Sequence, residues 1–143
     1  MSSAKDDLIS RTLAMKKWAV VGANNDPERF GYKLYRTLVD HGYDVVPVNP
    51  SLEEVQGTRC HASIADIPEP PEVVDMVVNP RVGIGVMKEI AQAGIRYVWL
   101  QPGTRSDEIR GFAREHEIEL VEDCVMAQLA AQSGEDQTRR SWR

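Results

Sequence analysis

The chain has 143 residues, 42% hydrophobic and 27% charged, which fits one globular domain around one core. Its formal net charge of −5 argues against a nucleic-acid or anionic-membrane surface, where a basic face is needed, and leaves room for a small local anion site. No apolar run approaches bilayer length, and the acidic N-terminal stretch lacks the apolar segment of a secretory leader.

In chain order, residues 3–14 predict a short amphipathic helix. Ser3 can cap it with Asp6 three residues on, and Leu8, Ile9 and Leu13 supply its apolar side. Residues 17–23 are a short apolar run ending near a glycine, the signature of a buried strand. Residues 27–42 read as a helix, with Pro27 suited to its start, Gly42 to its C-terminal cap, and Leu34, Tyr35 and Leu38 at helical spacing. A second strand follows at 43–49. The mixed connection 50–71 predicts helical turns near 51–55 and 63–66. Residues 72–79 form the third strand, and 80–94 a helix with Val82, Val86, Met87 and Ile90 on one face. Gly83 and Gly85 oppose that helix by about 1 kcal/mol each relative to Ala. A fourth strand at 95–101, a helix at 105–117 with Ile109, Phe112 and Ala113 inward, a fifth strand at 118–123 and a helix at 125–132 complete the pattern. The polar tail 133–143 is expected to fray. Strands alternate with helices throughout, which predicts an α/β fold. It is a doubly wound sheet of about five parallel strands with helices on both faces, a single domain over residues 1–132.

Three strand-like runs end alike, at Asn49-Pro50, at Asn79-Pro80 and, more loosely, at Gln101-Pro102-Gly103. Asn caps helix N-termini, and Pro suits the first helical position because its missing N–H is not needed there. These ends are therefore expected to be strand-to-helix joints. In a parallel sheet they share the carboxyl edge, where doubly wound folds bind ligands. Gly22 stands at the end of the first strand before a helix, where backbone N–H groups can hold a phosphate. Gly31, early in that helix, permits close packing of helix or ligand. A dinucleotide is disfavoured: Asn24 and Pro27 occupy glycine positions of the G-x-G-x-x-G pattern, and Val48-Asn49-Pro50 stands where an acid would hold the ribose.

The run from Ala19 to Pro50, followed by residues 73–80 and 98–103, resembles the small single-domain CoA-binding proteins. These are related to the N-terminal CoA-binding domain of the succinyl-CoA synthetase alpha subunit. The resemblance covers Lys17 to Met126 and implies a Rossmann-like fold holding coenzyme A, or an acyl-CoA, at the carboxyl edge. It implies that Gly22, Ala23, Asn24 and Asn25 hold the diphosphate through backbone N–H groups, with Arg29 adding positive charge. Val48, Asn49 and Pro50 would flank the adenosine, Asn79 and Pro80 would close over the ligand, and Gln101 and Gly103 would face the pantetheine arm. The synthetase's phosphohistidine belongs to a second domain, so the resemblance implies binding and not ligase activity. Two departures stand out. The synthetase-type second loop is rich in Lys and Gly, whereas Glu53 and Glu54 stand here, so Lys33 or Arg29 would have to meet the 3′-phosphate. The family's Asp-Arg-Cys pattern appears here as Asp123-Cys124, without the arginine.

No other chemistry stands out. His41 and His116 sit at helix ends, where a cation suits the dipole. His61 adjoins Cys60, but neighbours on an extended chain point apart and chelate poorly. Cys60 and Cys124 lack metal or disulfide spacing, which predicts a cytoplasmic protein with reduced thiols. Trp18 and Trp99 read as packing, Trp142 has no assigned part, and Glu53-Glu54 and Glu122-Asp123 read as solvated or capping groups. The expected protein is a non-catalytic CoA-binding module with no catalytic or metal-binding residue, and no nucleic-acid or membrane partner. Two alternatives stay open. One is a CoA- or nucleotide-dependent enzyme using Cys124 and Gln101 near the same edge. The other is an interaction subunit of a ligase-like complex.

Overall fold

The computed structural model describes residues 3–132, so the polar tail and Trp142 lie outside it. The elements are α1 (Ala4–Leu13), β1 (Lys17–Val21), α2 (Phe30–Asp40), β2 (Asp44–Val48), β3 (Glu54–Val55), β4 (Thr58–Arg59), a 3-10 turn (Ile64–Asp66), β5 (Val73–Met76), α3 (Pro80–Gln92), β6 (Tyr97–Leu100), α4 (Asp107–Glu115) and β7 (Glu119–Val121). Residues 125–132 are again helical. The main sheet has five parallel strands in the order β2-β1-β5-β6-β7, and β3-β4 is a separate antiparallel pair.

Both faces of the sheet are covered, which is why its strands read as continuous apolar runs rather than as alternations. β5 is buried at every position and β1 at all but Lys17. Successive side chains still point to opposite faces. Trp18, Val20, Val73 and Trp99 pack with Ile9 and Leu13 of α1, Leu34 and Leu38 of α2, and Val125 and Leu129. Ala19, Val21, Val74 and Met76 pack with Val86 and Ile90 of α3 and with Ile109 and Ala113 of α4. The two buried indoles find acceptors: Trp18 Nε1 donates to the Met15 carbonyl at 2.8 Å, and Trp99 Nε1 to Thr12 Oγ1 at 2.9 Å. Thr12 Oγ1 in turn donates to the Leu8 carbonyl at 2.9 Å, so α1 is keyed to the sheet by polar as well as apolar contacts.

Three of the helices begin at a capping side chain. Ser3 and Asp6 form a capping box on α1; Asn79 caps α3 with Pro80 at the first helical position; Ser106 caps α4. α3 tolerates Gly83 because a Cβ there would stand 3.2 Å from Ile109 Cδ1, so the glycine lets α4 approach. Three expectations are corrected. α2 starts at Phe30, not Pro27, because Asp26 first organises a turn, accepting from Glu28 N at 3.0 Å and Arg29 N at 2.9 Å. Residues 51–55 hold no helical turn; the β3–β4 hairpin is closed there by Gln56 (φ 50°) and Gly57 (φ 85°), two successive left-handed residues. Asn49-Pro50 opens no helix at all: it leads into the connection that carries this hairpin.

The order of strands fixes where a crevice can form. The chain steps from β1 outward to β2, then crosses back to β5 on the other flank of β1. α2 and α3 consequently leave the carboxyl edge on opposite faces. The boundary of β1 and β5 is the switch point where folds of this architecture open towards a ligand.

Candidate functional site

A cavity of about 460 Å³ lies at this edge, on the α3 face. Its walls come from four separate segments: Val21 and Gly22 at the exit of β1, Val48–Pro50 at the exit of β2, Ala62–Ile64 before β5, and Val78, Val82, Gly85, Val86 and Glu89 around α3. The lining is chiefly apolar. Its one charged group is Glu89, whose Oε1 accepts from Ala65 N at 3.3 Å and so fixes the 3-10 turn against α3. Val82 is 51% exposed and Phe30 38% exposed; both stand in the first turn of a helix that leaves this edge. Val82 lines the cavity, and an exposed apolar group on an apolar cavity marks a surface that a ligand can cover.

The exit of β1 is shaped by close backbone contact. Gly22 has φ 102° and donates its N–H to Val48 O at 2.9 Å. A Cβ on Gly22 would come within 3.2 Å of Val77 C and Val78 Cγ1, and one on Gly31 would fall 2.0 Å from Gly22 O. Gly31 thus serves helix-to-loop packing rather than ligand access, and valine at residue 22 would disturb the fold before it met any ligand. The N–H groups of Ala23, Asn24, Asn25, Phe30 and Gly31 have no protein acceptor among the described residues. α2 also lacks a side-chain cap and has no acid in its first turn. Its first N–H groups therefore face this loop without a side-chain cap.

The side-chain amides organise the loops. Asn24 Oδ1 accepts from Asp26 N at 2.8 Å. Asn25 donates to Glu54 O and accepts from Gln56 N, both at 2.8 Å, and so clamps the hairpin to the β1 exit. Asn49 donates to Ala23 O at 2.9 Å and accepts from Ser51 N at 2.9 Å, joining the β2 exit to the β1 exit. Arg29 is exposed and stands 3.8 Å from Asp26. Asn79 spends its oxygen on Val82 N at 3.1 Å. Of the thirteen residues read from the sequence, Gly22, Val48, Asn49 and Pro50 line the cavity. Asn79 and Pro80 begin the helix that forms its wall.

Gln101 is placed otherwise. It is fully buried, donates to Asp75 Oδ1 at 2.5 Å and accepts from Val125 N at 3.3 Å. Those partners put its side chain on the α2 face of the sheet, away from the cavity, where it ties β5 and β6 to the 125–132 helix. Gly103, exposed with φ 88°, makes the following turn. Neither residue lines the cavity. Burial pushes the Asp75 carboxyl well above the usual carboxylate range, with the Gln101 hydrogen bond opposing in part. Cys60 is a buried thiol, raised by that burial, and Cys124 is partly buried and free. His41 and His116 cap α2 and α4, and each ring Nδ1 lies within 2.9 Å of a helix carbonyl. His61 bridges to Val48 beside β2. Glu122 forms a paired contact with Arg110, and Asp123 accepts from Cys124 N at 2.7 Å. Among the described residues, no group of three or more His, Cys, Asp or Glu side chains is arranged to hold a metal ion, and no helix is long and apolar enough to cross a membrane.

Sequence reasoning missed Ser63, Ile64, Val82, Gly85 and Glu89 as cavity walls. The one available signal was Gly85, whose helix-opposing choice faces open space.

A five-stranded parallel sheet wound on both faces, with a cavity at the carboxyl edge beside the switch point, is a Rossmann-like α/β architecture. The chain belongs to the CoA binding domain family, whose model matches residues 16–130. A hypothetical protein from Pyrococcus horikoshii has the same fold, with a TM-score of 0.82 and 36% identity over 88% of this chain and 89% of that one. An uncharacterised Bacillus subtilis protein, YneT, is 27% identical over 77% of this chain and 82% of its own length. The alpha subunit of the ADP-forming acetate–CoA ligase II of Pyrococcus furiosus is 35% identical over 81 residues; the matched stretch is 56% of this chain and 18% of that subunit.

Proposed function

We propose that the chain binds coenzyme A, free or as an acyl-CoA, at the carboxyl edge, and supplies a seat rather than a reaction. The observation that carries this reading is the apolar cavity at the β1 exit, in a member of the CoA binding domain family. The cavity suits the adenosine portion: apolar walls for the base, with Asn49 and Ser63 as the neutral polar groups. The acceptor-less N–H groups of residues 23–25 and the uncapped start of α2 suit the diphosphate. The lining contains no His, Cys or Lys; its hydroxyl, Ser63, donates to Asp66 at 3.1 Å, and its carboxylate, Glu89, accepts from Ala65 N, so both are engaged in holding the wall.

The test is calorimetric titration with coenzyme A and NAD in parallel. Saturable binding of coenzyme A with a negative heat-capacity change, and none of NAD, is expected. Absence of saturable coenzyme A binding up to about millimolar concentration, roughly −4 kcal/mol, overturns the reading. A second reading, a subunit that presents coenzyme A to a ligase-like partner, draws on the 35% identity with a ligase alpha subunit. Co-purification of such a partner from the native host would favour it.

A further inference from the structure

Beside the cavity lies a second, more open hollow, lined by Ser51, Leu52, Glu53, Arg59 and Cys60 and sharing Pro50 and Ala62 with the cavity. The two spaces differ in charge. The cavity holds only a carboxylate, Glu89, and suits a neutral base; the hollow holds a guanidinium, Arg59, together with the Glu53 carboxylate. Arg59 forms no ion pair with a carboxylate among the described residues, whereas Arg29 stands near Asp26 and Arg36 is held by Asp40 at 2.6 Å. Neither Arg29 nor Lys33 lines the cavity or the hollow.

The position of Arg59 is set by a braced backbone. It pairs with Glu54 in the β3–β4 register. Asn25 clamps that hairpin to the β1 exit, and Cys60 N donates to Glu53 O at 2.9 Å. One residue further on, His61 is bound to β2, donating to Pro47 O at 3.0 Å and accepting from Asn49 N at 2.9 Å. Arg59 is therefore fixed relative to both strand exits that wall the cavity.

Resting on the coenzyme A reading above, we infer that the hollow receives the 3′-phosphate of the ligand and that Arg59 is the residue that reads it. A base and ribose seated in the cavity place the ribose substituents near its rim, and Pro50 and Ala62 form the rim shared with the hollow. A guanidinium matches phosphate geometry and stays charged at every relevant pH. Glu53 lines the same hollow and opposes the phosphate by like charge, so the two side chains act with opposite sign. Selectivity for the 3′-phosphate is thus tempered by Glu53, in a loop where a lysine-rich sequence would have made it strong.

The test titrates coenzyme A and 3′-dephospho-coenzyme A against the wild type, Arg59→Met and Glu53→Gln, with thermal melts to verify folding. Arg59→Met should weaken coenzyme A about ten-fold or more and change 3′-dephospho-coenzyme A less than about two-fold. Glu53→Gln should tighten coenzyme A alone, by a factor of about two to five. Arg59→Lys, keeping the charge but losing the fork, should fall between. Equal wild-type affinity for both ligands, or an unchanged affinity ratio in Arg59→Met, overturns the assignment of Arg59 while leaving the coenzyme A seat intact. Failure of the wild type to bind either ligand overturns the seat and this inference together.

Discussion

Gly85→Ala should make the protein more stable and its ligand affinity worse. Gly85 is the sixth residue of the 13-residue α3, well inside the helix, and its φ is not left-handed. Alanine there gains about 0.5–1 kcal/mol by restricting the unfolded chain and favouring the helix. No heavy atom lies within 4 Å of the added Cβ, so no packing strain offsets that gain. The same open space is the wall of the cavity, so the methyl projects where the ligand is proposed to sit. Overfilling a fitted site costs about 1–3 kcal/mol, a loss of affinity of about 5- to 150-fold. Gly111→Ala is the control: Gly111 is also inside a helix, α4, with nothing within 4 Å of its Cβ, and it does not line the cavity. Urea unfolding should show both variants shifted to higher midpoints, and calorimetry should show weakened coenzyme A binding for Gly85→Ala alone. Unchanged affinity in Gly85→Ala would remove the cavity as the ligand seat. A lower unfolding midpoint would show that the methyl is not in open space.

Two further substitutions probe the frame of the site. Gly31→Ala puts a carbon 2.0 Å from Gly22 O, a backbone atom that no side-chain rotation can move aside, so overpacking of about 3 kcal/mol should outweigh a helix gain of about 1, for a net loss of about 2 kcal/mol in urea unfolding; a neutral or stabilising result would refute the close approach. Asp75 keeps a proton in the fold that the unfolded chain releases above its ordinary pKa, so its contribution is full below about pH 4 and is lost as pH rises towards the raised folded value. The slope reaches about 1.4 kcal/mol per pH unit inside that window, and Asp75→Asn should flatten it; parallel stability curves for the two proteins between about pH 5 and pH 8 would refute the buried neutral acid.

The fold was legible because local and global signals agree. The capping box of Ser3 and Asp6, the Asn79-Pro80 start of α3 and the buried faces of α2 and α3 are all local facts of sequence that the packing preserves. The walls of the candidate cavity were legible only where they depend on backbone near strand ends, at Gly22 and at Val48–Pro50. Asn49-Pro50 and Asn79-Pro80 read identically, yet only the second caps a helix. The difference lies in Asn49's bond to Ala23, 26 residues earlier, which no short-range pattern encodes. The placement of the Gln101 side chain was hidden for a related reason. It stands at a strand end on the same carboxyl edge, but its side chain points to the face opposite the cavity, where Asp75 and Val125 N meet the two ends of its amide. The Gln56-Gly57 turn was missed because glutamine is an uncommon choice for a left-handed residue; the N–H of Gln56 is instead secured by Asn25, a contact 31 residues away.

These placements divide the carboxyl edge into residues that build it and residues that face the ligand. Asn25 and Asn49 spend their side-chain amides on backbone partners, and Gly31 is pressed against backbone, so the side chains of the two asparagines and the missing side chain of the glycine serve the frame first. Substituting any of them moves a loop, so stability and affinity would fall together, and a binding loss at Asn49 would not identify a contact. Gly85 and Arg59 are different in kind. One adds volume to a space that is otherwise open, and the other removes a charge that no neighbouring carboxylate holds among the described residues. Their effects on binding should therefore separate from stability, and separate again from each other: Gly85→Ala weakens every ligand that enters the cavity, with or without a 3′-phosphate, whereas Arg59→Met discriminates between the two. A common response of both ligands to both substitutions would mean that the hollow and the cavity do not seat different parts of one molecule.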